Sequence, residues 1–212
     1  MVFYDRADAG GRLARRVIDL VDGPVVVLGL PRGGVPVAAE VAAALDAPLD
    51  VIIVRKVGTP HNRELAMGAV GEDGARYVNA EVVRTYAVSR DQYEAAEQHE
   101  LEELERRSVR LRAVRPRVDL EDRTAVVVDD GLATGATARA ACQVARAHGA
   151  ARVVLAVPVA PRGAAAEMSD VADLVIVAET PRSFFGVGQF YDDFSQTADD
   201  EVVELLSQNL DR

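Results

Sequence analysis

The chain has 212 residues, of which 49% are apolar, and carries a formal net charge of −10 with a pI near 4.8. This length and apolar content suit one well-buried α/β domain with room for an insertion. The acidic balance argues against a general binder of nucleic acids or membrane surfaces, so an anionic ligand would need a local cationic pocket.

The first residues show no basic segment followed by an apolar run, and no window approaches the ~18 apolar residues of a membrane span. Cys142 is the single cysteine and cannot form an intrachain disulfide. We expect it to be a small core residue in a reducing compartment. The sequence therefore predicts a soluble, cytoplasmic protein.

The first predicted elements are a helix over residues 8–20, a buried strand over 25–28 and a helix over 35–45. A Pro-Arg-Gly-Gly turn precedes the second helix. Gly33 and Gly34 permit close approach of a ligand, the helix start offers N–H groups to an anion, and Arg32 adds a cation. The turn is either an anion site or an ordinary helix-leading turn with a surface arginine.

A second buried strand is predicted over residues 49–54, followed by Arg55, Lys56 and a polar loop over 58–62. Lys56 is the one lysine among 24 basic residues, which suggests a need for a compact ammonium group. His61 in the loop is either a general acid–base group or a solvated side chain. Two further strands are predicted over 65–70 and 75–78, about a glycine-containing turn.

Residues 79–117 have a different character and predict a helical insertion. Helical periodicity extends over residues 89–114, with acidic residues in its first part and arginines near its end, an order that complements the helix dipole. Pro116 ends the pattern. We expect this helix to pack on the core or on a second subunit, so a homodimer is one arrangement to test.

Residues 124–138 form the most informative stretch of the chain. A strand over 125–128 ends in two acids, Asp129 and Asp130, and a Gly/Thr loop over 131–137 leads into a helix over 138–147. Free N–H groups, the helix dipole and the threonine hydroxyls favour a phosphate, and the carboxylates would face the polyol that carries it. The lysine of the triphosphate P-loop and the dinucleotide fingerprint are both missing, and an ordinary strand-to-helix turn is the plainer alternative.

The rest of the chain completes an alternating pattern. Strands are predicted over residues 152–158 and 174–177, with a short helix over 163–168 between them. Strands that alternate with helices predict a doubly wound, mainly parallel sheet whose ligands bind at the carboxyl ends of the strands. We expect one domain over residues 1–212, with a small aromatic-rich hood over 180–212 that includes a closing helix over 199–210.

Four apolar residues, two acids and the pattern Gly-x-x-Thr-Gly-x-Thr closely resemble the phosphoribosyl diphosphate (PRPP) signature of the type I phosphoribosyltransferases. The insertion is similar to that of a phosphoribosyltransferase-like branch, unlike the salvage enzymes. The resemblance implies that Lys56, Asp129 and Asp130 are catalytic. It implies this PRPP-binding set: Arg32, Gly33, Gly34, Arg55, Lys56, Asp129, Asp130, Gly131, Ala133, Thr134, Gly135, Ala136 and Thr137.

The aromatic tail carries a weaker resemblance to the base-binding segment of the purine-salvaging members. Its Phe-x-Val-Gly-x-x-x-Asp spacing implies that Phe185, Val187 and Asp192 bind the acceptor. A hydrophobic patch that anchors the tail is the alternative. Ala133 stands where hypoxanthine/guanine enzymes carry an aspartate, so the acceptor stays open.

The implied reaction transfers 5-phosphoribosyl from PRPP to a nitrogen acceptor, a nucleobase by preference, and releases pyrophosphate, as in nucleotide salvage. Mg²⁺ is the implied cofactor, carried on the pyrophosphate, with no protein metal ligand assigned. A regulator that keeps the pocket to sense PRPP or a nucleotide is the alternative. A hydrolase is disfavoured because the sequence offers no nucleophile with an activating base.

Overall fold

The computed structural model describes residues 2–209, apart from the side chains of residues 63 and 64. Residues 1 and 210–212, including the end of the expected closing helix, lie outside this part. The strands are β1 (Val25–Gly29), β2 (Leu49–Val51), β3 (Val54–Thr59), β4 (Asn62–Gly71), β5 (Arg76–Val78), β6 (Thr124–Val128), β7 (Arg152–Val159) and β8 (Leu174–Glu179). The α-helices are α1 (Arg6–Val17), α2 (Gly34–Leu45), α3 (Ala80–Thr85), α4 (Arg90–Arg112), α5 (Ala136–Ala147), α6 (Ala164–Glu167) and α7 (Asp199–Gln208).

The central sheet is parallel throughout and has the order β2-β1-β6-β7-β8. Every residue of β6 is buried, because helices cover both faces of the sheet. Chain order reverses between β1 and β6, and the loops that follow these two strands lie at this reversal, where doubly wound sheets bind their ligands. The predicted doubly wound α/β fold is confirmed.

Two apolar layers hold the helices to this sheet. Helices α1, α2 and α7 pack on one face through residues such as Leu13, Val37 and Leu206. Helix α5 packs on the other face, where Cys142 is fully buried as expected. Burial raises the pKa of the Cys142 thiol to about 12, so this cysteine behaves as a small apolar residue.

The predicted single strand over 49–54 is wrong, because the chain changes sheets within it. Strand β1 ends at Gly29, the partner of Val51, and pairing with β1 stops after the hydrogen bond from the Ile52 N–H to the Gly29 carbonyl oxygen. Val54 pairs instead with Gly71 in a second, antiparallel sheet of order β3-β4-β5. The polar loop expected over 58–62 is shorter than predicted: Pro60 and His61 form the turn of the β3–β4 hairpin.

The helix predicted over residues 89–114 is present as α4. Its start is fixed by a capping box, in which Ser89 and Gln92 satisfy each other's backbone N–H groups. Leu104 and Leu111 bury one side of α4 in the main core, and the helix also packs on β3 and β4. The homodimer stays a prediction.

The C-terminal segment packs against the N-terminal residues. Phe3 forms a parallel bridge with Tyr191, and both pack with Phe190 against Val159. Helix α7 packs on α2. Among the helices within residues 2–209, none is both long enough and apolar enough to cross a bilayer.

Candidate functional site

The two predicted acids lie at the carboxyl end of β6, the middle strand of the central sheet. Asp129 Oδ1 accepts a hydrogen bond from the backbone N–H of Asp130 at 2.9 Å. Asp130 Oδ2 lies 3.0 Å from Arg6 Nε and 2.9 Å from Arg6 Nη2. Asp130 is therefore paired with a guanidinium, whereas Asp129 forms no ion pair with the described side chains.

The glycine turn after β1 packs directly against these acids. A Cβ atom added to Gly33 would collide with the carboxylate of Asp130, and one added to Gly34 would lie 2.6 Å from the carbonyl oxygen of Val128. Only glycine fits this approach, so Arg32 begins a loop that is held in contact with the acidic pair. The two loops predicted to share a site thus meet at the point where the strand order reverses.

The Gly/Thr loop after the acids reaches the start of α5, which begins at Ala136, two residues earlier than predicted. Gly135 takes the left-handed conformation, with φ of 72°, and provides no side-chain cap. The first-turn N–H groups of α5 therefore lack a capping side chain, as in an anion-binding helix start. Ala133, Thr134 and Thr137 are exposed beside it.

Next to the glycine turn lies a cavity of about 670 Å³. Its charged and polar lining residues are Arg32, Arg55, Lys56, Glu100, Arg106, Arg107, Arg110, Thr137 and Asp199. The cavity thus brings the predicted PRPP-binding cations Arg32, Arg55 and Lys56 together with Thr137 of the Gly/Thr loop. Asp129, Asp130 and Thr134 do not line it.

Arg6 is an additional residue at the acidic pair. Its guanidinium covers Asp130, donates to the carbonyl oxygen of Ser195 at 2.7 Å and lies 4.1 Å from the ring centroid of Phe194. The Tyr191 hydroxyl adds a 2.5 Å hydrogen bond to the backbone oxygen of Asp130. The sequence analysis missed Arg6 because no local pattern connects the first turn of α1 to a loop 124 residues away.

Burial shifts the protonation equilibria of both acids. It raises the pKa of Asp129 well above its ordinary value, and the charge of Asp130 adds to the effect. Burial also raises the pKa of Asp130, although the adjacent Arg6 opposes it. A cation or a hydrogen-bond donor bound at Asp129 would stabilise its ionised form.

The predicted acceptor residues are separated. Val187 contacts the Gly/Thr loop, because its Cγ1 lies 2.5 Å from the position of a Cβ added to Gly131. Phe185 is 92% exposed, and Asp192 is exposed while its N–H donates to the carbonyl oxygen of Phe3. Neither Phe185 nor Asp192 lines the cavity. The other tail aromatics anchor the segment to the N-terminus.

A parallel doubly wound sheet whose two glycine-rich loops meet at the strand reversal defines an α/β domain of the nucleotide- or sugar-phosphate-binding kind. The model of the family described as "Phosphoribosyl transferase domain" matches residues 4–195. The chain belongs to this phosphoribosyl transferase family, as the sequence resemblance predicted.

Known relatives extend over nearly the whole chain. Proteins named "Putative phosphoribosyl transferase" from two strains of Mycobacterium tuberculosis are 56% identical over 207 residues, which is 98% of this chain and 47% of theirs. The chain thus spans about half the length of the curated relatives that it matches. The crystal structure of TT1426 from Thermus thermophilus is 42% identical, covers 99% of both chains and has a TM-score of 0.92.

Proposed function

We propose that this domain binds PRPP and transfers its 5-phosphoribosyl group to a nitrogen acceptor, preferably a nucleobase, with release of pyrophosphate. The observation that supports this most is the packing of the Gly33–Gly34 turn on the acidic pair, beside a cavity lined by cations. Sugar-binding and pyrophosphate-binding groups are thereby adjacent. Membership in the phosphoribosyl transferase family agrees with the proposal.

Each part of PRPP has a chemically suitable partner. The 5-phosphate would bind the N–H groups of the loop over residues 131–137, where the dipole of α5 favours an anion. The ribose hydroxyls would donate to Asp129 and Asp130. The pyrophosphate would lie against Arg32, Arg55 and Lys56, all of which line the cavity.

The residues present also fit the Mg²⁺ that the family resemblance implies. Mg²⁺ is usually held by one or two carboxylates together with substrate phosphates and waters, and no dedicated protein cage is needed. Asp129, which has a raised pKa and no ion pair with the described residues, is the carboxylate that a cation would stabilise most. When bound, Mg²⁺ would neutralise charge on the departing pyrophosphate.

Catalysis would depend on placement and charge stabilisation by this chain. The acids would fix the ribose, and Arg32 and Lys56 would stabilise the negative charge that develops on pyrophosphate as the bond to C1 breaks. The ribose hydroxyls would compete with Arg6 for the oxygens of Asp130. Nucleotide salvage in the cytoplasm is the setting that we propose for such a reaction.

A regulator that senses PRPP is the second candidate. It is favoured by one observation: Phe185 and Asp192, the expected acceptor contacts, do not line the cavity. Such a protein would bind PRPP without consuming it.

A transfer assay separates the two candidates. The protein is incubated with PRPP, Mg²⁺ and a panel of nucleobases and other nitrogen acceptors, and both pyrophosphate and the ribosylated product are measured by mass spectrometry. The transferase proposal expects stoichiometric amounts of the two with at least one acceptor. PRPP binding without pyrophosphate release for any acceptor would favour the sensor.

A further inference from the structure

The cavity is lined by three arginines in addition to the cations that we assign to the pyrophosphate of PRPP. Three of its cations come from the glycine turn and β3, and α4 adds Arg106, Arg107 and Arg110. Among the residues that the structure describes, its lining includes two carboxylates, Glu100 and Asp199. The formal net charge of the chain is −10, so this cluster of positive charge is a local feature of the cavity.

The three α4 arginines have only weak interactions with the described residues of the protein. Arg106 pairs with Glu103 on its own helix, and Arg110 pairs with Asp199 at 3.4 Å and with Asp200 on α7. All three are exposed, and exposed ion pairs of this kind contribute little to stability. A ligand could therefore replace these partners at small cost.

Arg107 is the clearest member of the group. It lines the cavity and is exposed, and it forms no hydrogen bond or ion pair with any side chain that the structure describes. Arg55, in contrast, is already held by Glu100, with Nε and Nη2 each 2.8 Å from Oε2. The positive charge of Arg107 is therefore available to a ligand.

Helix α4 holds these arginines in place. Leu104 and Leu111 anchor the helix in the core on either side of them, and Arg112 fixes its end through buried ion pairs. A guanidinium on a fixed helix loses less conformational freedom on binding than one on a loop. Because its planar fork donates two parallel hydrogen bonds, clustered arginines suit phosphate oxygens particularly well.

We propose that Arg106, Arg107 and Arg110 form a second anion site in the cavity, which binds the phosphate group of a ligand seated beside PRPP. The acceptor that would occupy this site is a nitrogen compound that carries a phosphate group, in place of the free nucleobase preferred above. This inference rests on the proposed function, because it adds a second ligand to the PRPP site. Two other roles are outcomes of the test: the same arginines bind the pyrophosphate of PRPP, or they bind a carboxylate.

Isothermal titration calorimetry on the full chain tests the site with simple probes. PRPP and Mg²⁺ are first titrated to saturation, and phenyl phosphate, benzoate or phenol is then added. The variants are Arg106→Ala/Arg107→Ala/Arg110→Ala and the single Arg107→Ala, which removes no described ion pair. Arg90→Ala is the matched control, because Arg90 is on the first turn of α4 and lies outside the cavity.

We expect phenyl phosphate to bind the PRPP-loaded protein at least about tenfold more tightly than benzoate or phenol. The triple variant should lose about tenfold or more of this affinity and Arg107→Ala about threefold, while PRPP affinity changes by less than about threefold. Arg90→Ala should match the wild type. Circular dichroism verifies that each variant is folded, and Arg107→Ala alone decides the result if the triple variant is not.

Three results would overturn the inference while leaving the proposed function intact. Phenyl phosphate could bind the wild type and the triple variant equally or not at all, benzoate could bind as tightly as phenyl phosphate, or the triple variant could lose PRPP affinity to the same degree. If PRPP fails to bind the wild type, the proposed function fails instead. In that case phenyl phosphate is titrated onto the protein without PRPP. The affinities of the same variants then show whether the three arginines form an anion site.

Discussion

Helix α4 carries arginines in two contrasting settings, although they are close in sequence. Arg112 is partly buried and is surrounded by acceptors: Nη1 lies 2.6 Å from Asp50 Oδ1, Nη2 lies 2.6 Å from Glu72 Oε2, and Nη2 also donates to the carbonyl oxygen of Val51 at 3.0 Å. Arg106, Arg107 and Arg110 are exposed along the cavity, with few partners.

The difference separates a structural role from a ligand-binding role. Arg112 links α4 to β2 of the central sheet and to the turn that follows β4, so it fixes the helix relative to both sheets. Its charge is already compensated, and it has no capacity left for a ligand. Arg106 and Arg110 pair with solvent-accessible carboxylates that a ligand can displace, and Arg107 pairs with no described side chain, so these arginines can still bind a ligand.

The largest expected effect comes from Arg112→Leu. Removing this guanidinium strands the carboxylates of Asp50 and Glu72 in the interior, so we expect a loss of about 3–5 kcal/mol in the free energy of unfolding. Arg107→Leu, on the same helix, should change it by no more than about 0.5 kcal/mol. Urea denaturation followed by circular dichroism measures both. Similar losses in the two variants would contradict the distinction between the two settings.

A combined variant sharpens the same comparison. In Arg112→Leu/Asp50→Asn/Glu72→Gln the stranded charges are gone, so we expect a recovery of about 1–3 kcal/mol relative to Arg112→Leu. Urea denaturation again gives the values. If the combined variant is no more stable than Arg112→Leu, packing of the arginine stem, and not the charges, accounts for the loss.

Local patterns in the sequence were sufficient for most of the fold. The apolar runs that became β1, β6, β7 and β8 lie in a sheet covered on both faces, where continuous hydrophobicity is expected. The split between β2 and β3 could not be predicted, because it depends on where β1 ends. One signal was overlooked: Asp50 interrupts an otherwise apolar run, and a buried carboxylate requires a partner.

The candidate site was predictable only in part. Its two loops follow buried strands and carry recognisable residue types, so Arg32, Asp129 and Asp130 could be selected from the sequence. Arg6 and the α4 arginines come from elements far away in the chain, and tertiary packing alone brings them to the site. Phe185 was selected from the spacing of a motif, which does not specify where a side chain points.

A smaller effect is expected in the pH dependence of stability, where Glu72, which has an ion pair, differs from Asp129, which forms none with the described side chains. Burial favours protonation of Glu72, yet hydrogen bonds from Arg112 and Ser108 outweigh it and lower its pKa, so its stabilising contribution is lost as the pH falls through that lowered value. Burial raises the pKa of Asp129, so the protonated side chain is favoured in the folded state. Its contribution to stability is therefore lost as the pH rises through the raised value.

Binding of PRPP with Mg²⁺ should follow the ionisation of Asp129. Above about pH 6.5, where the ligand phosphates are already ionised, we expect affinity to rise with pH by at most about tenfold per unit, until Asp129 is ionised. Calorimetric titrations at several pH values measure this slope. Asp129→Asn, which has no proton to release, should bind more weakly and with little dependence on pH. An equal slope in both proteins would show that another group titrates.

Direct titration of the protein with PRPP in the presence of Mg²⁺ tests the central claim, that the acids after β6 and the turn after β1 hold one ligand. We predict saturable, one-to-one binding in the wild type and a loss of about tenfold or more in both Asp130→Asn and Arg32→Ala, with unfolding transitions that stay cooperative. Unchanged PRPP affinity in both folded variants, or no binding to the wild type, would contradict the claim.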